Sequence, residues 1–77
     1  MDQKLVGKRI KCLRINKLGM SQEDFAKKIG VDRTYFCRLE AGKKNLTLDT
    51  LNKVCEGLEM SLKDFFNFEI PEKKESA

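Results

Sequence analysis

The sequence predicts a single all-α domain of five helices. Apolar residues recur at helical spacing along most of the chain. A serine, threonine or aspartate stands before most of these stripes, where the N-cap of a helix belongs. No stretch is a candidate strand, and 77 residues have room for one domain. The chain is therefore expected to bury one small core between short helices.

The first helix is predicted over residues 4 to 17. Val6, Ile10, Leu13 and Lys17 fall at i, i+4, i+7 and i+11, which gives one inward face. The basic residues of this helix lie mostly off that face, as expected of a solvated surface: Lys4, Lys8, Arg9 and Lys11.

Residues 21 to 40 are predicted to form two short helices around a tight turn. Ser21 is the N-cap of the first of them, and Gly30 can take the left-handed conformation that ends it. Asp32 caps the second helix, which Gly42 closes. Two helices joined by a short turn that contains glycine are the helix-turn-helix pattern.

Two more helices complete the predicted domain. Thr47 caps a fourth helix, whose apolar stripe should close the core: Leu48, Leu51, Val54, Cys55 and Leu58. Ser61 caps a short fifth helix, which carries Leu62, Phe65 and Phe66. The domain is predicted to span residues 1–70, and residues 71–77 to be a disordered charged tail.

The charge of the chain suits an anionic partner. The formal net charge is +4, and Lys and Arg crowd residues 4 to 17, 27 to 44 and 73 to 74. A basic half of this kind indicates one anion-facing side.

Several functional classes are disfavoured. Three cysteines without CxxC spacing, in a chain without histidine, argue against a zinc site or a disulfide framework. We expect no metal and no cofactor. There is also no Gly-rich phosphate loop and no convincing nucleophile-base pair, so an enzyme is the weakest hypothesis. No apolar run is long enough for a membrane span, and a reduced, cytoplasmic protein is expected.

The chain resembles the lambda-repressor-like helix-turn-helix family, also called the Cro or Xre type. The resemblance covers residues 5 to 66 and is carried by Leu13-Arg14, GMSQEDFA (19 to 26), IGVDRTYFCRLEAGKKN (29 to 45), the L..L..V..GLEMSL run (48 to 62) and Phe65-Phe66. Within the family it looks most like the controller proteins of restriction-modification systems, with small phage-type repressors close behind. It departs from the family in one place, because the interval from Arg14 to Gln22 is one residue longer than usual, through Leu18. The resemblance also implies that Arg14 pairs with Glu40.

The second helix of the motif is the candidate DNA-reading element. Its first two turns can enter the major groove, so the predicted base contacts are Arg33, Thr34, Cys37 and Arg38. Arg33 can donate two parallel hydrogen bonds to the O6 and N7 of guanine, and Thr34 can bond a base or touch a thymine methyl. Cys37 has two interpretations, a redox switch or, as we favour, a small side chain tolerated at the interface.

A second group of residues is predicted to contact the DNA backbone. Gln22 begins the preceding helix, where its amide and the free N–H groups of the helix end can hold a phosphate oxygen. The hydroxyl of Tyr35 is a further candidate, with purely structural packing of its ring as the alternative. The loop after the recognition helix completes the group with Lys43, Lys44 and Asn45.

We therefore expect a sequence-specific transcriptional regulator that binds double-stranded DNA with an inverted repeat as a homodimer. RNA polymerase is a further candidate partner. The alternatives are an antitoxin or phage-type repressor and, from another class, a protein-interaction module that no longer touches DNA. An excess of apolar residues near the C-terminus predicts the dimer interface at Phe66, Phe68 and Ile70. The competing interpretation is that Phe68 caps the core of its own protomer.

Overall fold

Five α-helices build the part of the chain that the computed structural model describes, residues 2–69. They are α1 (Gln3–Leu13), α2 (Gln22–Ile29), α3 (Arg33–Glu40), α4 (Leu48–Leu58) and α5 (Leu62–Phe65), and a π-helical turn over Arg14–Leu18 extends α1. The predicted all-α fold with five helices is confirmed. Ile70 and the predicted tail, 71–77, lie outside the described residues. Within the described range, each helix is too short or too polar to cross a membrane.

Side-chain caps explain where the helices begin. Ser21, Asp32, Thr47 and Ser61 each accept a hydrogen bond from the backbone N–H three residues further on, at 3.0 to 3.1 Å. These are the four caps that the sequence predicted. Asp2 caps α1 by accepting from the N–H groups of Lys4 and Leu5, a cap that sequence reasoning missed. Each cap satisfies an N–H group that has no partner within its helix.

Three phenylalanines form the centre of the core. Phe25, Phe36 and Phe65 are fully buried, and the rings of Phe25 and Phe36 lie 5.4 Å apart in a tilted pair. Around them the helices contribute Val6, Ile10, Ala26, Ile29, Leu39, Leu51, Val54, Cys55 and Leu58. Burial raises the pKa of the Cys55 thiol, which stays protonated as an ordinary core side chain.

The prediction for Leu48 was wrong. Its side chain is 82% exposed, because it stands in the first turn of α4, outside the stripe through Leu51 and Val54 that meets the core. Leu62 is also half-exposed, at the corresponding first position of α5. Two large apolar groups therefore face solvent near helix starts.

The π-helical turn after α1, Arg14–Leu18, lies in the interval that the family resemblance marks as one residue longer than usual. A π turn holds more residues than an α turn, so it lengthens the chain locally without ending the helix. Gly19 then stops it in the left-handed conformation, with φ 63°. The first helical segment thus runs close to its predicted length, but its last turn is of a different type.

Two lysines hold the C-terminal end of α4. Lys17 Nζ donates to the carbonyl oxygen of Leu58 at 2.7 Å, and Lys28 Nζ donates to that of Gly57 at 2.8 Å. Cations at this end also interact favourably with the helix dipole. Lys17, predicted on an inward face, is in fact exposed and reaches α4 with its ammonium group. The contacts tie α4 to the π turn and to α2.

Gly7 allows α1 to pack directly against the end of α3. A Cβ atom at this position would lie 2.6 Å from the carbonyl oxygen of Leu39, and closer still to that of Glu40. Both obstacles are backbone atoms, so they cannot move aside as a flexible side chain can. The approach of α1 to α3 therefore depends on glycine here.

We expect Gly7→Ala to lower the free energy of unfolding by about 1–3 kcal/mol, because overpacking must push the two helices apart. Urea denaturation followed by circular dichroism measures this loss. Lys8→Ala, on the exposed side of the same helix, is the control and should change stability little. Equal midpoints for the two variants would contradict the close approach.

Candidate nucleic-acid interface

Helix α3 has one face exposed to solvent, and its opposite face is packed into the core. Phe36 and Leu39 are buried in the core, whereas Arg33, Thr34 and Arg38 are exposed. Three of the four residues predicted to contact bases therefore share the solvent side of one rigid helix. Such a surface suits the major groove, which admits an α-helix.

Among residues 2–69, Arg33 has one weak partner. Its Nη1 lies 3.7 Å from Glu23 Oε1 on α2, and both side chains are more than half exposed. Ion pairs of this kind contribute little to stability, because water screens them. The guanidinium is thus free to exchange Glu23 for another acceptor.

A buried ion pair joins the end of the first helical segment to the end of α3. Arg14 Nε donates to Glu40 Oε2 at 2.8 Å, and Arg14 Nη2 donates to Glu40 Oε1 at 2.9 Å. A third bond runs from Arg14 Nη1 to the carbonyl oxygen of Met20, at 2.7 Å. The two side chains are only 6% and 2% exposed. The pairing that the family resemblance implied is confirmed.

The side chain of Gln22 joins this network. Its Nε2 donates to Glu40 Oε1 at 2.9 Å, and its Oε1 accepts a hydrogen bond from the thiol of Cys37 at 2.7 Å. Gln22 is half-buried, so part of the amide still faces solvent. The predicted phosphate contact stays a prediction, but the amide that would make it is held by two partners within the chain.

Cys37 is less exposed than the other three residues of α3 that were predicted to contact bases. It is half-buried, and its thiol points across to Gln22 on α2. The sequence could place Cys37 on the outer surfaces of α3, but it could not show that a neighbouring helix would supply a hydrogen-bond acceptor. The direct base contact of Cys37 stays a prediction, and without DNA the thiol is directed at Gln22.

Tyr35 packs against the core with its ring and keeps its hydroxyl close to α4. The hydroxyl lies 3.3 Å from the Oγ1 of Thr50, which also interacts with the cap residue Thr47. The ring packs against the core, as the structural alternative expected, and the contact of the hydroxyl with a phosphate stays a prediction. The ring is structural, and the half-buried residue retains a polar tip.

The loop after α3 carries exposed polar and basic groups. Lys43, Lys44 and Asn45 are all exposed. Gln3 donates from its side-chain amide to the Oδ1 of Asn45, and this bond attaches the loop to the start of α1. Gln3 was missed by sequence reasoning, because the two residues are 42 positions apart and no local pattern links them. Lys44 stands at the rim of a small surface pocket whose apolar lining is Val6, Ile10, Leu39 and Leu46.

Comparison with known proteins identifies this arrangement. The helix-turn-helix family profile matches residues 10–65. The control protein C.MunI from Mycoplasma sp is 43% identical over 61 residues, which cover 79% of this chain and 82% of that protein. The chain belongs to the helix-turn-helix family and is related to its restriction-modification controller proteins.

Solved structures agree with this assignment. The controller protein C.AhdI from Aeromonas hydrophila has a TM-score of 0.79 at 34% identity, over 84% of this chain and 97% of that one. The controller protein C.Esp1396I, solved as a tetramer with its natural 35 base-pair operator, has a TM-score of 0.76 at 42% identity, over 83% of each chain. Other structures of C.Esp1396I carry single substitutions of an arginine, a threonine or a tyrosine at three consecutive positions.

The C-terminal segment of this family member folds back on α1. Arg9 donates to the carbonyl oxygens of Phe65 and Asp64, at 2.8 and 2.9 Å. Its guanidinium also lies 5.0 Å from the ring centre of Phe68, which stacks on Phe66 at 6.5 Å. Phe66 and Phe68 are both half-buried, so each keeps some apolar surface for a partner.

We expect Glu40→Gln to lower the free energy of unfolding by about 3–5 kcal/mol, because it leaves the buried guanidinium of Arg14 without its carboxylate. Such a loss is a large part of the stability of a small domain. Glu23→Gln, which weakens the exposed pair with Arg33, is the matched control and should cost less than about 1 kcal/mol. The midpoints of urea unfolding compare the two, and similar midpoints would show that the buried pair does not hold the motif.

Proposed function

We propose that this protein regulates transcription as a controller protein, binding an inverted-repeat operator in double-stranded DNA as a homodimer. The observation that carries the proposal is the exposed face of Arg33, Thr34 and Arg38 on α3, a helix fixed by the buried Arg14–Glu40 pair. The relationship to C.MunI and C.AhdI favours this role over an antitoxin, a phage-type repressor or a module without DNA.

The start of α3 would read the bases. Arg33, Thr34 and Tyr35 follow one another in the order arginine, threonine, tyrosine, which is also the order of the substituted residues in the C.Esp1396I variants. Arg33 would leave Glu23 and donate to guanine, where a bidentate contact discriminates between bases. Thr34 and Arg38 lie on the same exposed side and would extend the contact along the groove.

The DNA backbone would be held from two sides of the groove. The first turn of α2 offers N–H groups and the Gln22 amide, and the hydroxyl of Tyr35 adds a donor from α3. On the other side, Lys43, Lys44 and Asn45 form an exposed polar loop. Contacts of this kind set the orientation of the protein, whereas the base contacts specify the sequence.

A homodimer would contact two DNA half-sites, twice the length that one protomer can contact. One small helix-turn-helix domain reads one half-site, and two-fold pairing matches an inverted repeat. The partly exposed rings of Phe66 and Phe68 support pairing through this region, and Ile70 remains a predicted member outside the described residues. The protein would act in the cytoplasm and without catalysis, with RNA polymerase as the partner through which binding alters transcription.

We expect Arg33→Ala to weaken binding to the operator by about 1–3 kcal/mol and binding to random DNA much less, because it removes a base contact. Lys44→Ala is the matched comparison. It should weaken binding to both DNAs alike and reduce the salt dependence by about one ion, as expected for a phosphate contact. Fluorescence anisotropy with the gene's own upstream duplex and a scrambled duplex measures both effects. Equal losses for Arg33→Ala on the two duplexes would exclude a base contact.

We expect Phe68→Ala to shift the protein towards monomer in analytical ultracentrifugation, while its helical circular dichroism signal is kept. The ring supplies apolar surface to the proposed interface, but it lies outside the fully buried core. Leu48→Ala removes an exposed apolar side chain from α4 and serves as the control, with no expected change in mass. Loss of helix in Phe68→Ala would instead assign the ring to the core of its own protomer.

A further inference from the structure

The thiol of Cys37 has a partner that explains its place on α3. It donates to the Oε1 of Gln22, 15 residues away along the chain, and this bond bridges the two helices of the motif. From the structure we infer that Cys37 is a positioning residue for the phosphate contact of Gln22, rather than a base contact of its own. The inference rests on the proposed function, because it concerns the same DNA-binding surface.

The orientation of the Gln22 amide follows from the chemistry of its neighbours. A carboxylate only accepts hydrogen bonds, so the amide must turn its Nε2 towards Glu40. Its Oε1 then faces the opposite way and needs a donor, which the thiol supplies. With both ends occupied, the amide has one orientation and one position.

This arrangement leaves one N–H of the amide without a role in the network. An amide nitrogen carries two donors, and Glu40 uses one of them. Gln22 is only half-buried and stands in the first turn of α2, where the N–H groups of the helix end are also directed outwards. A phosphate oxygen accepts from donors of this kind, so the second N–H is suited to the DNA backbone.

Without the thiol, Gln22 Nε2 would still donate to Glu40. Gln22 Oε1, however, would lose its only protein donor among the described residues. Gln22 would then sample other rotamers and water would solvate its carbonyl group. Binding DNA would require the side chain to be ordered again, which costs conformational entropy. Cys37 thus contributes by holding Gln22 in the conformation that binds.

The Gln22 side-chain amide can be observed in the free protein. In wild type, a nitrogen-edited NMR spectrum should show the two Nε2 protons at chemical shifts that differ from those of a mobile glutamine, because the amide is held rigidly. Cys37→Ala should move these signals towards the values of a mobile glutamine, and Cys37→Ser, which restores a donor, should return them. Unchanged signals in Cys37→Ala would overturn the inference without any reference to DNA.

Binding to a random-sequence duplex tests the consequence. We expect Cys37→Ala to weaken it about three- to tenfold, the usual range for one hydrogen bond, and Cys37→Ser to recover most of the loss. In the background of Gln22→Ala, the further change Cys37→Ala should have little effect, because the two residues act as one unit. Additive losses would overturn the inference.

The two proposals can fail separately. If wild-type protein binds no DNA, the proposed function fails, whereas the NMR comparison still judges the link between Cys37 and Gln22. If Cys37→Ala weakens operator binding but leaves binding to the random duplex unchanged, Cys37 contacts a base and the positioning role is wrong. Thermal melts of all variants confirm that each is compared in the folded state.

Discussion

The buried pair of Arg14 and Glu40 is the interaction on which the motif depends. Two charges that are 6% and 2% exposed must satisfy one another, because removing either from water is costly. The pair fixes the end of α3 against the end of the first helical segment, and the bond from Arg14 to Met20 extends this to the entry of α2. The guanidinium of Arg14 therefore positions α3 relative to the first helical segment and the start of α2.

The π-helical turn fits this constraint. Arg14 is the first residue of that turn, so the added chain length follows the arginine and leaves its register with α1 unchanged. Gly19 ends the turn, and the chain then enters α2 through the Ser21 cap. An extra residue accommodated in a helix of the α type would instead have rotated the following segment by about 100°. The π turn therefore leads the chain to the start of α2 and leaves the Arg14–Glu40 ion pair intact.

The basic residues of the chain are divided between structure and surface. Arg9, Arg14, Lys17 and Lys28 all donate to carbonyl or carboxylate oxygens of the protein itself. The exposed cations around α3 belong to a different set, chiefly Arg33, Arg38, Lys43 and Lys44. The total of 16 Lys and Arg residues therefore overstates the positive charge on the candidate DNA-binding surface, and the position of each cation decides its role.

Local chemistry in the sequence determined the helices and much of the candidate surface. The caps, the glycine turns and the apolar spacing act over three or four residues, so they can be recognised without a structure. The tertiary structure alone decided the π turn, the exposure of Leu48 and the direction of the Cys37 thiol. The contacts of Gln22 with Cys37 and Glu40 span 15 and 18 residues, and that of Gln3 with Asn45 spans 42. Such partners become neighbours only when the helices pack, which is why no local pattern predicts them.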